Sequence, residues 1–139
     1  MIVNTPANRS SVEKEGLSIL VVDDNVFFCS LAAQWLEIMD EVSSVATENN
    51  ALNVLERVQV EHFNVVLLDI AMPKRNGLDL LQDLMAIPRS PRVVMVTGQG
   101  EDAYRLRAME LGAFAYVQKS TFVQHIPAVL RACHDALPG

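Results

Sequence analysis

The 139 residues are half apolar and one-fifth charged, the balance of one soluble globular domain able to bury a sizeable core. A net charge of −6 argues against a general nucleic-acid binder, because no basic excess is available to neutralise phosphates. No apolar run approaches the about 20 residues of a membrane span, so membrane insertion is not expected, and the amino terminus lacks the basic-then-apolar layout of a secretory signal.

Residues 1–16 are polar, follow neither hydrophobic period, and read as a flexible tail before a domain spanning 17–139. Residues 17–22 (L-S-I-L-V-V) predict a first strand that ends directly in Asp23-Asp24-Asn25. A helix follows, with Phe28, Leu31, Ala32, Trp35, Leu36 and Met39 recurring at three- and four-residue steps as one apolar stripe. At this strand-to-helix junction the two acids read either as cap and first-turn charges or as a cation site. Residues 41–46 (E-V-S-S-V-A) give a weaker strand, and 48–58 a helix with Ala51, Leu55 and Val58 inward.

The run Val65, Val66, Leu67, Leu68 is too short for a helix and suits a strand covered on both faces. It ends on Asp69, and Pro73, Asn76 and Gly77 then mark a turn. Residues 77–86 predict a helix with Leu78, Leu81 and Met85 on one side, broken after it by Pro88 and Pro91. Residues 92–96 (R-V-V-M-V) are the next buried strand, ending in Thr97-Gly98; 101–111 is helical, with Gly112 as its C-terminal cap. A short strand over 114–117 leads to Gln118-Lys119. The last helix carries Ile126, Val129, Leu130, Cys133 and Leu137 on one face. Pro127 suits only a first turn, which leaves 120–124 as the connection. Cys29 and Cys133 have neither metal-site spacing nor disulfide density and read as buried reduced thiols of a cytoplasmic protein.

Five strands alternating with five helices imply right-handed crossovers and a parallel sheet covered on both faces. All strand ends then point one way, and ligands bind at the carboxyl ends. Asp23, Asp24, Asp69, Thr97 and Lys119 can therefore converge. Three clustered carboxylates raise one another's pKa, and a hard divalent cation relieves the repulsion; Mg²⁺ accepts two carboxylates and a carbonyl while keeping several waters. With an ammonium and a hydroxyl beside them, the set suits phosphoryl transfer onto Asp69 as an acyl phosphate.

Asp23-Asp24, Asp69 followed by Met72-Pro73 and Asn76-Gly77, Thr97-Gly98, and Leu111-Gly112-Ala113 through Tyr116 to Lys119 together resemble the receiver domain of two-component response regulators. The resemblance runs from about Leu17 to Leu137. It implies a flavodoxin-like (βα)5 fold similar to the chemotaxis response regulator, with a parallel sheet in the order 2-1-3-4-5. It also implies that Asp69 takes a phosphoryl group from a sensor histidine kinase or a histidine phosphotransfer protein. Asp24, Asp69 and the backbone carbonyl of Ala71 match the ligands of Mg²⁺ (Mn²⁺ as an alternative), and Asp23 matches the outer-shell acid. Lys119 and Thr97 match the groups that act on the phosphoryl oxygens, and Thr97 and Tyr116 the switch pair that repacks the face of the fourth helix, fifth strand and fifth helix for a downstream protein. Ala71 and Gln99 match the two positions that tune dephosphorylation. The leading reading is a cytoplasmic receiver, monomeric or dimerising on phosphorylation, that turns over no separate metabolite; nothing in 139 residues supplies a helix-turn-helix beside a receiver, so direct DNA reading is not expected.

One departure concerns Lys119, which the family often follows with proline across a cis bond. Ser120 stands here, and a non-proline cis bond costs about 2.5–4 kcal/mol. The loop is therefore either trans or strained.

Three other readings compete. The chain can be the receiver part of a longer regulator, with Leu137-Pro138-Gly139 opening a linker to a DNA-binding or enzymatic module. A haloacid-dehalogenase-like phosphatase also uses an Asp nucleophile and Mg²⁺, but needs a second Asp where Ala71 stands. A pseudo-receiver binding module would have no use for the full acidic set with Thr97 and Lys119.

Overall fold

The computed structural model describes residues 16–98 and 102–137. The expected tail, residues 1–16, lies outside them except for Gly16. The order of elements is β1 (Leu17–Val22), α1 (Val26–Glu37), β2 (Val42–Glu48), α2 (Val54–Glu61), β3 (Val65–Leu68), α3 (Gly77–Met85), β4 (Arg92–Thr97), α4 (Asp102–Glu110), β5 (Ala115–Gln118) and α5 (Phe122–Asp135). The five strands form one parallel sheet in the order β2-β1-β3-β4-β5, as the resemblance implies. β1 and β3 pair with Ile19 opposite Val65 and Val22 opposite Leu68, so Asp23 and Asp69 leave the sheet at the same level.

Alternation along the strands divides the core in two. Ile19, Val21, Leu67, Val94, Val96 and Val117 face the layer of α1 and α5, where Leu36, Ile126 and Leu130 meet them. Leu20, Val22, Leu68, Val93 and Met95 face the layer of α2, α3 and α4, against Val54, Leu80, Leu81 and Leu84. Burying both faces explains why β3, residues 19–22 of β1 and residues 93–96 of β4 read as unbroken apolar runs. β2 at the edge is only partly covered, and its alternation is correspondingly blurred.

Several boundaries differ from the sequence reading. β2 runs two residues further than expected, to Glu48. A 3₁₀ turn over Ala51–Asn53 then precedes α2, because the Asn50 side chain accepts the Leu52 N–H at 3.0 Å and caps the turn first. On α1 the buried residues are Cys29, Ala32 and Leu36, whereas Leu31, expected inward, is 67% exposed. On α3 the seam is Leu80, Leu81 and Leu84, with Leu78 and Met85 only half-buried.

α5 begins at Phe122, so residues 120–124 are not a connection; a 3₁₀ turn over Lys119–Thr121 makes the link. Pro127 consequently lies past the first turn. Its missing N–H would have met the carbonyl of Val123, a residue on the exposed side of the helix. Gly112 closes α4 as expected, at φ +108, with the Ala113 N–H reaching back to the Ala108 carbonyl at 3.0 Å. Cys29 and Cys133 are both buried and unpaired, and burial pushes each thiol up to about 11. No helix among the described residues is long and apolar enough to cross a membrane.

Candidate functional site

The carboxyl ends of β1 and β3 are held in register past the last strand residue. The Asp23 N–H donates to the Glu48 carbonyl at 3.1 Å and the Asp69 N–H to the Val22 carbonyl at 3.0 Å, so both acids extend the sheet ladder. Asp24 follows in the β1–α1 loop. The capping role that the acids were weighed for belongs to Asn25 instead, whose side chain accepts the Phe28 N–H at 3.1 Å. Asp23 supports that turn through Oδ1, which accepts the Asn25 N–H at 2.9 Å. Both carboxylates remain aimed at the pocket: one oxygen of each of Asp23, Asp24 and Asp69 falls within 4.8 Å of the others.

Asp69 and Asp23 are buried and Asp24 is exposed, so the cluster opens to solvent on one side. Lys119 arrives from the end of β5 with its ammonium 2.6 Å from Asp23 Oδ2 and 3.7 Å from Asp69 Oδ2. The ammonium is the only partner of that Asp23 oxygen among the described residues. The Lys119–Ser120 bond is trans, which settles the alternative left open by the missing proline. The reach of the lysine survives it.

Burial pushes the Asp69 carboxyl up to about 6, and the charges of Asp23 and Asp24 add to this, while Lys119 and the Ala71 N–H pull the other way. Burial alone would lower the Lys119 pKa, but Asp23, Asp69 and Asp24 outweigh it and hold the ammonium above its ordinary value. Three acids against one ammonium leave a surplus of negative charge lined with oxygen. This donor set fits a hard divalent cation.

Ala71 is exposed in the β3–α3 loop, and its N–H meets Asp69 Oδ1 at 3.3 Å. The loop returns to α3 through Gly77, whose N–H donates to the Ile70 carbonyl at 2.9 Å. A Cβ on Gly77 would stand 2.4 Å from the Asp69 carbonyl oxygen and 2.6 Å from Ile70 Cα, so only glycine lets the helix start this close to the site. Arg75 pairs with Asp83 and ties the same loop to α3. Asn49, in the β2–α2 loop, donates to the Asp23 carbonyl at 2.9 Å.

Thr97 is buried at the end of β4, beside the site. Register puts Thr97 on the same face as Met95, with Tyr116 opposite Met95 and packed half-buried against the α2/α3/α4 layer. Asp23 and Asp69 project to the other face, that of α1 and α5, by the same alternation. The seven described residues expected at the site thus lie at one end of the sheet, distributed on its two faces. Gln99, expected to tune dephosphorylation, lies outside the described residues.

Sequence reasoning passed over Asn49, Arg75 and the Phe28 ring, and took Gly77 as a turn, helix-start and motif residue without its close approach to the Asp69 and Ile70 backbone. A depression of about 650 Å³ lies between the β3–α3 loop, Thr97 and Tyr104, lined by Ile70 and Ala71, which follow Asp69 in the chain, and by none of the acids themselves. The larger one, about 800 Å³, sits at the opposite end of the sheet around Leu17, Phe114 and Leu137.

Comparison with known proteins agrees with this geometry. The family described as the response regulator receiver domain matches residues 19–131. A transcriptional regulatory protein, the CpxR homolog of Haemophilus influenzae, is 36% identical over 117 residues, covering 81% of this chain and 50% of that protein. A protein-glutamate methylesterase/protein-glutamine glutaminase of Nitrobacter hamburgensis is 30% identical over 137 residues, covering 97% of this chain and 36% of that protein. The chain therefore spans half or less of the length of these curated relatives. Among solved structures, the BeF3-activated N-terminal receiver domain of Klebsiella pneumoniae RstA superposes with a TM-score of 0.77 at 28% identity, covering 84% of this chain and 97% of that one. The response regulator domain of Thermotoga maritima CheB gives a TM-score of 0.79 at 22% identity, covering 88% and 99%, a likeness of fold. The chain belongs to the response regulator receiver domain family.

Proposed function

We propose that this receiver accepts a phosphoryl group on Asp69 from the phosphohistidine of a sensor histidine kinase or histidine phosphotransfer protein, and signals by presenting an altered surface to a protein partner. The observation that carries this reading is the convergence of Asp23, Asp24 and Asp69 within 4.8 Å, with the Lys119 ammonium between two of them. Asp24, Asp69 and the Ala71 carbonyl would hold Mg²⁺ or Mn²⁺, with Asp23 in the outer shell. When bound, the ion supplies charge neutralisation at the phosphoryl oxygens.

A carboxylate oxygen of Asp69 attacks phosphorus: the O–P bond forms, the N–P bond breaks, and imidazole leaves with that electron pair. Lys119 pairs with one phosphoryl oxygen as charge develops, and the Thr97 hydroxyl donates to another. Hydrolysis of the acyl phosphate later restores Asp69, so no separate metabolite is turned over. Ala71 has no polar group to orient the attacking water, so the phosphoryl group outlasts that of the Ala71→Asn variant; slower or equal decay in the variant sinks this point.

Val26 and Phe27, on the first turn of α1 beside the acids, are 62% and 83% exposed, an apolar rim suited to covering by a donor protein. On the far side, Leu106 and Met109 of α4 are also exposed, which supports a downstream partner on the α4-β5-α5 face, moved by Thr97 and Tyr116. Residues 17–139 form the receiver and 1–16 its tail, in the cytoplasm, monomeric or dimerising once phosphorylated.

The test is incubation of the protein with Mg²⁺ and acetyl phosphate. A hydroxylamine-sensitive label, lost in Asp69→Asn and dependent on the metal, is expected. Persistence of the label in that variant overturns the reading. A second reading, a receiver joined to an output module, is favoured by the partial coverage of the longer relatives. The size of the cellular gene product on an immunoblot decides it.

A further inference from the structure

Lys119 lies on a trans backbone at the start of a 3₁₀ turn, and its ammonium ends a long flexible stem. The turn does not by itself fix where the charge sits. A third neighbour does: the Nζ lies 4.8 Å from the centroid of the Phe28 ring, while meeting Asp23 and Asp69 at 2.6 and 3.7 Å. Phe28 stands on the first turn of α1 and Phe122 opens α5. Their rings meet edge to face, 5.5 Å apart at 79°. Phe122 is buried, so the bracing ring is anchored in the α1/α5 core.

We propose that Phe28 is a positioning residue for Lys119, its ring face holding the ammonium over the pocket ready to pair with a phosphoryl oxygen. An ammonium within about 6 Å of a ring centroid is drawn to the π-face. The ring takes no hydrogen bond of ordinary strength, so the donors of Lys119 stay available to Asp23, Asp69 and an incoming oxygen. Asp23 alone would tend to capture the ammonium in one short pair. The ring restrains the charge without directing its hydrogen bonds, so Lys119 can exchange partners while staying in the pocket. Aromatic side chains thus provide a restraint that the trans 3₁₀ turn lacks.

The inference rests on the phosphoacceptor reading, and binding of beryllofluoride with Mg²⁺ as a phosphoryl mimic separates the two. Phe28→Leu keeps an apolar side chain of similar bulk and removes the π-face. It is expected to weaken beryllofluoride binding about three- to tenfold, while Phe28→Tyr stays within about twofold of the parent. Affinity for Mg²⁺ without fluoride is expected to be unchanged in both. In a Lys119→Ala background, Phe28→Leu should cost nothing further. By NMR, the side-chain methylene protons of Lys119 should lie upfield of those of the exposed Lys74 in the parent and in Phe28→Tyr, and lose that displacement in Phe28→Leu.

A parent that fails to bind beryllofluoride overturns the phosphoacceptor reading and this inference with it. A parent that binds, with Phe28→Leu binding equally well, overturns the inference alone. An equal loss of Mg²⁺ affinity, or a loss that persists without Lys119, makes Phe28 a packing residue and overturns it too.

Discussion

Asp69 is held at the end of a buried strand where ionisation is opposed by burial and by Asp23, which sets its carboxyl near 6 against 3.8 ordinarily. Between those values the unfolded chain has lost the proton that the folded chain keeps, so stability of the metal-free protein falls as pH rises from about 4 to 6 and then levels off. The loss is on the order of 2–3 kcal/mol. Asp69→Asn removes the titration: in EDTA it is expected to be more stable than the parent at pH 7.5, with the gap closing near pH 4, as urea unfolding would show. Adding Mg²⁺ should raise the parent's midpoint well above its EDTA value and move that of Asp69→Asn far less. An unchanged gap across that pH range would mean that the pocket does not strain Asp69. The residue types of this pocket were legible because each stands at the end of an apolar run. The support around them was not, since Asn49 and Phe28 act through contacts between elements distant in sequence, and Arg75 through a loop-to-helix pair with Asp83 that follows no periodicity.

The β3–α3 connection shows what an element contributes beyond its side chains. Gly77→Ala forces a methyl onto the Asp69 and Ile70 backbone, so α3 must back away from the loop that carries Ala71. A destabilisation of about 1–3 kcal/mol is expected, together with weaker Mg²⁺ binding by calorimetry. In α5, Pro127→Ala supplies a backbone N–H at 127 to donate to the Val123 carbonyl and should stabilise the protein by about 1 kcal/mol or more, measured by urea unfolding. The strands were read closely because burial on both faces leaves one unbroken signature. The helices were read less well for specific reasons. Leu78, Leu80, Leu81, Leu84 and Met85 offer more apolar positions than one face can bury, so periodicity alone did not single out the seam. At α2, Asn50 and the preceding 3₁₀ turn delayed a helix that the pattern starts at Glu48. At α5, the rule confining Pro127 to a first turn gave way to tertiary packing of Phe122, Ile126 and Leu130.

Taken whole, the molecule exposes apolar residues beside the pocket as well as on α4. Phe27→Ser should slow phosphoryl transfer from a phosphohistidine protein about tenfold or less, and leave labelling by acetyl phosphate unchanged, as comparison of the two donors in single-turnover assays would measure. Equal slowing with both donors would place Phe27 in the pocket's own chemistry. The five-stranded order was legible from alternation and from the family resemblance together; the distribution of the site over the sheet's two faces emerges only with the register known. That distribution has a consequence for redesign. The acids and their lysine are furnished from the α1/α5 layer, whereas Thr97 and Tyr116 belong to the layer of α2, α3 and α4. On the proposed reading, the α1 rim and α4 lie in different layers and are separately tunable: grafting another regulator's exposed α4 residues should re-route the output and spare the donor.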